Sequence, residues 1–394
     1  MRAGLAFLVA GYVLSQFYRT FLAVLTPVLG TEIGATPGDL AVSSGLWFLA
    51  FALMQLPVGA ALDRIGPRRT ASWLLGIGGA GGALIFATAH GPVAIHIAMI
   101  LIGAGCAPVL MASYYIYARI YSPAVFGTLA GATVGLGSLG NLAGAAPLAW
   151  AVEAAGWRET LVALAAVTLA VAIALAVFVR DPERVARTEG EEGTLRELMA
   201  IRGLWPVLPL MTVAYAPAAA VRGLWAGPYM AQVHGADTAG IGLATLAMGL
   251  AMVAGNFAYG PLDRIVGSRK WGVFGGVLLS ACCLAILARH PDMPYAAGVA
   301  VVAALGFFGS AFPAIMAHGR SFLPPHLIGR GVSFINMFGI GGAGILQFGS
   351  RSVYRWAGGA DAPAHTYAVL YTFFLVPVLI GLALYLFSRN IRTR

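Results

Sequence analysis

Two short stretches of the chain share one pattern and indicate its architecture. Residues 59–69 read GAALDRIGPRR and residues 260–270 read GPLDRIVGSRK. Each contains a glycine, an Asp-Arg pair, a second glycine and a closing pair of basic residues. The aspartates Asp63 and Asp263 are 200 residues apart (263 minus 63) in a chain of 394 residues. An internal duplication explains this repeat most economically and predicts two halves with the same order of elements.

Long apolar runs flank both stretches and recur from end to end. Hydrophobic residues make up 59% of the chain and charged residues 10%, against about 45–50% and 25% in soluble domains. Each run has about 18 residues or more, enough for a helix to cross a hydrocarbon core of roughly 30 Å. The predicted fold class is an all-α membrane protein with twelve transmembrane helices in two pseudo-symmetric six-helix bundles. The predicted spans are residues 3–29, 39–62, 70–89, 93–117, 125–151, 157–179, 203–231, 238–260, 271–289, 293–317, 329–350 and 364–388.

The longest polar stretch divides the chain into a bundle of residues 1–179, a cytoplasmic linker of residues 180–202 and a bundle of residues 203–394. No loop is long enough to hold a separate catalytic domain. Within the predicted spans, the sequence contains no catalytic set of a nucleophile, a general base and a general acid. We therefore expect neither an enzyme nor a bound cofactor, and we expect function to lie among the helices.

The net charge of +9 is distributed unevenly over the predicted topology. Of the 24 basic residues, 18 fall on the side that holds both termini, two lie within spans, and Arg158, Arg289, Arg351 and Arg355 lie on the opposite side. The positive-inside rule makes the first side cytoplasmic. The positive charge thus orients the chain among membrane lipids and does not indicate nucleic acid. We expect a bacterial cytoplasmic (inner) membrane protein with both termini in the cytoplasm.

The loop at residues 59–69 resembles the most diagnostic motif of the major facilitator superfamily, and a degenerate second copy is found in the equivalent place. The resemblance extends over the whole chain. It implies two six-helix bundles that rock between inward-open and outward-open states, and a functional monomer. One departure concerns the fourth span, where the superfamily often has an arginine and this chain has Met99. This puts a proton-relay role for that helix in doubt.

The two loop motifs are also candidate gates on physical grounds. A glycine allows two helices to approach, and a carboxylate accepts from the amides at a neighbouring helix N-terminus. Arginines beside them remain with the lipid headgroups. An alternative is a basic turn that only fixes topology. The candidate gating residues are Gly59, Asp63, Arg64, Arg68, Asp263 and Arg264.

Two arginines lie deep inside predicted spans. Arg19 is about 16 residues, or roughly 24 Å of rise, into the first span, and Arg222 lies similarly deep in the seventh. Their offset is 203 (222 minus 19), close to that of the aspartates. No carboxylate is embedded to neutralise them, so a permeating anion is the expected partner. The alternative is that they bond to backbone carbonyls or stack on an aromatic ring such as Tyr18 or Trp225.

This arrangement resembles the organophosphate/organic anion antiporter branch of the superfamily, which implies Arg19 and Arg222 as substrate clamps. Polar and aromatic residues at comparable depth are candidates to complete a substrate site, although each is also an ordinary packing residue. These candidates are Tyr18, Tyr114, Tyr115, Asn141, Trp225, Asn336 and Gln347.

The predicted function is a secondary active transporter for a small anionic solute, either an organic acid or a phosphate-containing compound. Because no carboxylate lies within a span, exchange or downhill movement is favoured over proton symport. One alternative is a copper importer that uses soft ligands such as Met248 with Met252, one helical turn apart, or Met99 with Cys106. Another is an exporter of amphipathic drugs. We expect no metal in the site for the anion transporter.

Overall fold

The computed structural model describes residues 2–121, 123–182, 195–324 and 327–390. Throughout these residues the secondary structure is helical and contains no strand. The helices of the first half are α1 (Arg2–Phe17), α2 (Leu22–Ile33), α3 (Pro37–Leu53), α4 (Gln55–Arg64), α5 (Pro67–Leu74), α6 (Gly81–Ala87), α7 (Pro92–Ile120), α8 (Pro123–Ala143), α9 (Ala146–Ala155) and α10 (Trp157–Phe178). Those of the second half are α11 (Leu195–Ala200), α12 (Val207–Ala214), α13 (Ala216–Ala220), α14 (Ala226–His234), α15 (Thr238–Val266), α16 (Arg269–Arg289), α17 (Tyr295–Gly309), α18 (Phe312–Arg320), α19 (Ile328–Trp356) and α20 (Pro363–Tyr385).

Many of these helices are segments of longer membrane spans. Among the described residues, nine helices are long and apolar enough to cross a membrane, and α1 with α2 forms a tenth span that is bent by 52°. The two remaining predicted spans correspond to α8 with α9 and to α19. The predicted all-α membrane fold is therefore confirmed.

The chain divides into two compact units. Unit 1 contains Met1–Val185 together with Asp237–Leu243, and unit 2 contains Ala186–Ala236 together with Ala244–Arg394. Residues 183–194 of the predicted linker lie outside the described residues, and the short helix α11 forms near the end of that linker.

The internal repeat is visible in the backbone of each unit. Glycines with positive φ, which other residues adopt at a steric cost, occur at matching places in the two halves. The pairs are Gly34 and Gly235, Gly66 and Gly267, and Gly156 and Gly358, at offsets of 201, 201 and 202 residues. The duplicated sequence therefore produces duplicated breaks between helices.

Glycines also fix the first span of each half against the fifth. In unit 1, a Cβ at Gly140 of α8 would collide with the carbonyl oxygen of Val13 in α1. In unit 2, a Cβ at Gly342 of α19 would collide in the same way with the carbonyl oxygen of Thr212 in α12. Small residues at these crossings let the backbones approach closely. The spans that carry Arg19 and Arg222 are thus held at short range by their neighbours.

Candidate functional site

Arg19 lies at a break in the first span. α1 ends at Phe17 and α2 begins at Leu22, so Arg19 occupies the turn between two helices whose axes differ by 52°. Its side chain is half-buried. Breaks in membrane helices bring unpaired backbone groups and polar side chains to the depth at which carriers bind their substrates.

The guanidinium group of Arg19 rests on two aromatic rings of α3. Its Cζ is 5.2 Å from the ring centroid of Trp47 and 4.9 Å from that of Phe51, and these rings stack on each other. The Nε atom is buried without a hydrogen-bond acceptor among the described residues. The stacking alternative is therefore realised, on Trp47 and Phe51 rather than on Tyr18 or Trp225, and it leaves hydrogen-bonding capacity unused.

Arg222 lies on a second helix irregularity, the π-helical turn Val221–Trp225 between α13 and α14. Single π-turns within helices often occur at functional sites. The side chain is 2% exposed, so it does not face lipid. Its guanidinium group lies against Gly249 of α15, where an added Cβ would be 2.7 Å from Nη2 and 3.2 Å from Cζ.

The two arginines therefore have related surroundings within their own units. Each projects from an irregular turn of its unit's first span onto the second span, α3 in unit 1 and α15 in unit 2. Trp47 and Gly249, the residues that they meet, are 202 positions apart (249 minus 47). Sequence reasoning identified the arginines but not these partners, because neither residue type by itself indicates a guanidinium neighbour.

The predicted companions in unit 1 lie in several different settings. Tyr18 is fully buried, and its hydroxyl lies 2.9 Å from that of Thr168 in α10. The ring of Tyr115 is covered by Arg119, whose Cζ is 4.1 Å from its centroid. Tyr114 and Asn141 are half-buried in α7 and α8.

In unit 2, Trp225 belongs to the same π-turn as Arg222. It is fully buried, and its Nε1–H donates to Ser350 Oγ of α19 at 3.0 Å. One turn before Ser350, Gln347 is also fully buried, and neither Nε2 nor Oε1 has a hydrogen-bond partner among the described residues. Asn336 is half-buried about three turns earlier in α19.

The candidate gate in unit 1 is arranged differently from the prediction. The close helix approach expected at Gly59 is absent, because a Cβ there would meet no heavy atom of the described residues within 4 Å. Arg64 is exposed. The backbone N–H of Arg68, in the first turn of α5, donates to Asp181 Oδ1 at 2.8 Å, and Arg68 Nε donates to the carbonyl of Ala176. Sequence reasoning missed Asp181, which lies 113 residues from Arg68.

The gating roles predicted for Asp63, Asp263 and Arg264 depend on side chains outside the described residues. The rest of the second loop is bound to the end of α20. Lys270 Nζ donates to the carbonyls of Leu386 and Ser388 at 2.6 and 2.8 Å. His318 donates from Nε2 to the carbonyl of Arg389 at 3.1 Å, so in the neutral ring Nδ1 accepts from the hydroxyl of Tyr385 at 2.6 Å. In each unit, hydrogen bonds thus join this loop to the end of that unit's sixth span.

The soft ligands considered for copper are packing residues in this structure. Met248 and Met252 are buried, and both press against Gly306 of α17, where a Cβ would come within 3.0 Å of each Cγ. Met99 and Cys106 are each 1% exposed. Within the described parts of the chain, no group of three or more His, Cys, Asp or Glu side chains could hold a metal ion.

The chain is a polytopic helical protein with a repeated six-span unit, and the first span of each repeat carries an arginine, half-buried in unit 1 and buried in unit 2. This is the construction of a membrane carrier. The chain belongs to the major facilitator superfamily, whose family model matches residues 8–226. This membership assigns the chain to a family of membrane transporters.

Two curated relatives match part of the chain. The uncharacterized transporter YybO of Bacillus subtilis is 24% identical over 183 residues, and the probable sulfoacetate transporter SauU of Cupriavidus necator is 26% identical over 183 residues. Each match covers 46% of this chain, and 41% and 42% of the respective relatives. The chain thus matches less than half the length of either protein.

Solved structures are similar over nearly the whole chain. A D-xylose-proton symporter has a TM-score of 0.79 at 15% identity, with 98% of both chains covered. A bacterial homologue of the human lysosomal transporter Spinster, in an inward-facing and unoccupied conformation, has a TM-score of 0.72 at 18% identity and covers 98% of this chain and 96% of its own. At such identities the likeness shows the fold alone.

Proposed function

We propose that the protein is a secondary active transporter for a small anionic solute, an organic acid or a phosphate-containing compound, and that Arg19 and Arg222 bind the anion. The arginine at an irregular turn in the first span of each unit is the observation that carries this proposal. We infer a place in the organophosphate/organic anion antiporter branch and transport by alternating access.

The cost of burying these charges supports a functional role. Placing a charged side chain within the membrane costs a free energy of about 2.5–3.5 kcal/mol or more. Stacking on aromatic rings offsets only about 0.5–2 kcal/mol of this cost for Arg19. Guanidinium groups form bidentate hydrogen bonds with carboxylates and phosphates. The name of one relative, a probable sulfoacetate transporter, is consistent with an anionic substrate.

The same proposal includes the setting of the protein. We infer a functional monomer from the superfamily to which the chain belongs. From the asymmetry of basic residues we infer a bacterial cytoplasmic membrane protein with both termini in the cytoplasm. The loops at residues 59–69 and 260–270 would gate access. Tyr18, Tyr114, Tyr115, Asn141, Trp225, Asn336 and Gln347 remain candidates to contact the substrate or to support the residues that do.

Counterflow in proteoliposomes tests this proposal. The panel contains monocarboxylates, dicarboxylates, organophosphates, copper and a lipophilic cation. We expect flux of at least one anion, reduced more than about tenfold in both Arg19→Gln and Arg222→Gln, because removing a charged binding partner costs about 2–5 kcal/mol. Arg355→Gln is the matched control, since Arg355 is an exposed arginine of α19.

Two outcomes would overturn the proposal. One is anion flux that survives in both variants while each elutes as a monodisperse protein. The other is transport of copper but no anion, with loss in Met248→Leu, which would favour the soft-metal alternative.

A further inference from the structure

An apolar groove lies at the end of unit 2 where the seventh span begins. Its volume is about 310 Å³, near the lower end of the roughly 300–1,000 Å³ of small-molecule sites. Its walls come from three elements: Met199 of α11, Trp205 and Leu208 around the start of α12, and Phe334 with Phe338 of α19. The groove lies within unit 2.

Trp205 lines the groove with a side chain that is exposed but held by a hydrogen bond. It is 53% exposed, yet its Nε1–H donates to the carbonyl of Met199 at 2.9 Å, which joins the turn before α12 to the last residues of α11. Met199 is 49% exposed on the other side of this contact. The bond satisfies the polar edge of the indole, so its apolar face is available to an apolar ligand.

Two arginines lie on turns that adjoin the segments lining this groove. Arg202 is exposed in the turn between α11 and Leu204, another lining residue. Arg320 is exposed at the end of α18. The two turns are neighbours, because a Cβ at Gly203 would come within 2.5 Å of the ring of Phe322. Arg202 thus lies in the same turn as the lining residues Leu204 and Trp205. Arg320 lies two residues before Phe322, whose ring is next to that turn.

We propose that this groove holds an acyl chain of an anionic phospholipid whose phosphate binds Arg202 and Arg320. The charges favour this occupant over an uncharged one, because basic residues at the membrane surface attract anionic headgroups and guanidinium groups bind phosphate well. Exposed tryptophan at the end of a span is also typical of the membrane interface. A bilayer supplies the apolar chain and the anion in one molecule. The site is independent of the substrate proposed above.

Fluorescence quenching by brominated lipids tests this site in the full-length protein. Proteoliposomes of phosphatidylcholine receive increasing mole fractions of phosphatidylglycerol brominated on its acyl chains, or of phosphatidylcholine brominated in the same way. The emission of Trp205 is obtained as the difference between the parent protein and Trp205→Phe. Trp73, which is 68% exposed on α5, is isolated with Trp73→Phe and serves as the control for ordinary lipid contact.

We expect brominated phosphatidylglycerol to quench Trp205 with saturation at a low mole fraction, while quenching of Trp73 rises in proportion to that fraction. Arg202→Gln with Arg320→Gln should make the two lipids equally effective at Trp205. Equal effects of the two lipids in the parent protein would overturn the proposal, as would an anionic preference that persists in the double variant. Absence of quenching at Trp205 while Trp73 is quenched would also overturn it, because the groove would then be closed by protein.

Discussion

Arg222 packs its guanidinium group against Gly249, so that a Cβ at residue 249 would lie 2.7 Å from Nη2. At nearly the same place in the first unit, Arg19 meets the ring of Trp47. In unit 1 the arginine therefore packs on an aromatic ring, whereas in unit 2 it fills the space left by a glycine, which has no side chain. This difference gives each arginine its own test.

Gly249→Ala should displace the guanidinium group of Arg222. Overpacking at a buried contact costs about 1–3 kcal/mol. Where this cost opposes binding of the proposed anion, the apparent KM should rise by about 5- to 150-fold. Counterflow kinetics measure this change. Gly275→Ala in α16 is the control, because a Cβ there meets no heavy atom of the described residues within 4 Å. An unchanged KM in Gly249→Ala would indicate that Arg222 does not bind the substrate.

Phe51→Leu should weaken the anion binding proposed at Arg19. The substitution removes one of the two rings beneath the guanidinium group, and a cation–π contact contributes about 0.5–2 kcal/mol. Binding measured by substrate protection against thermal unfolding should therefore weaken by about 2- to 30-fold. Phe48→Leu is matched in residue type and burial, and Phe48 packs on Trp47 without lying under Arg19. Equal losses in both variants would indicate general repacking of α3.

Gln347→Leu should raise the apparent Tm of the purified protein. The amide of Gln347 is buried without partners among the described residues, and a buried unsatisfied polar group costs about 1–3 kcal/mol. Gln55 provides the contrast, since it is 3% exposed and its Nε2 donates to the carbonyl of Phe51 at 3.1 Å. Gln55→Leu should lower the Tm. A lower Tm in Gln347→Leu as well would show that its amide is satisfied in solution.

Asp181→Ala should loosen the loop at residues 59–69. Asp181 accepts from the N–H of Arg68 at the start of α5, and loss of such a cap costs about 0.5–2 kcal/mol. Hydrogen exchange detected by mass spectrometry should therefore accelerate in peptides that cover Arg68. Asp181→Asn keeps an acceptor oxygen and should change exchange less. If exchange is the same in all three proteins, the contact does not hold the loop.

The positions of the two arginines of the candidate site could be predicted from the sequence. The residues that contact the candidate site and gate could not. Arg19 and Arg222 could be found because a charge within an apolar run is visible in the sequence itself. Trp47 and Asp181 could not be found, because each lies far along the chain from the residue it contacts. Gln347 was a candidate by residue type, but its two unsatisfied amide atoms depend on how α19 packs.

The sequence by itself determined the all-helical membrane fold, the repeat and the placement of two arginines within apolar spans, because apolar length and charge placement are local properties that a bilayer acts on directly. Only the tertiary structure decided that Arg19 occupies a broken helix over Trp47 and Phe51, that Arg222 lies on a π-turn against Gly249, and that Asp181 rather than a neighbour in sequence caps α5. These contacts form when helices distant in sequence pack together, and backbone crossings such as that at Gly140 set their register.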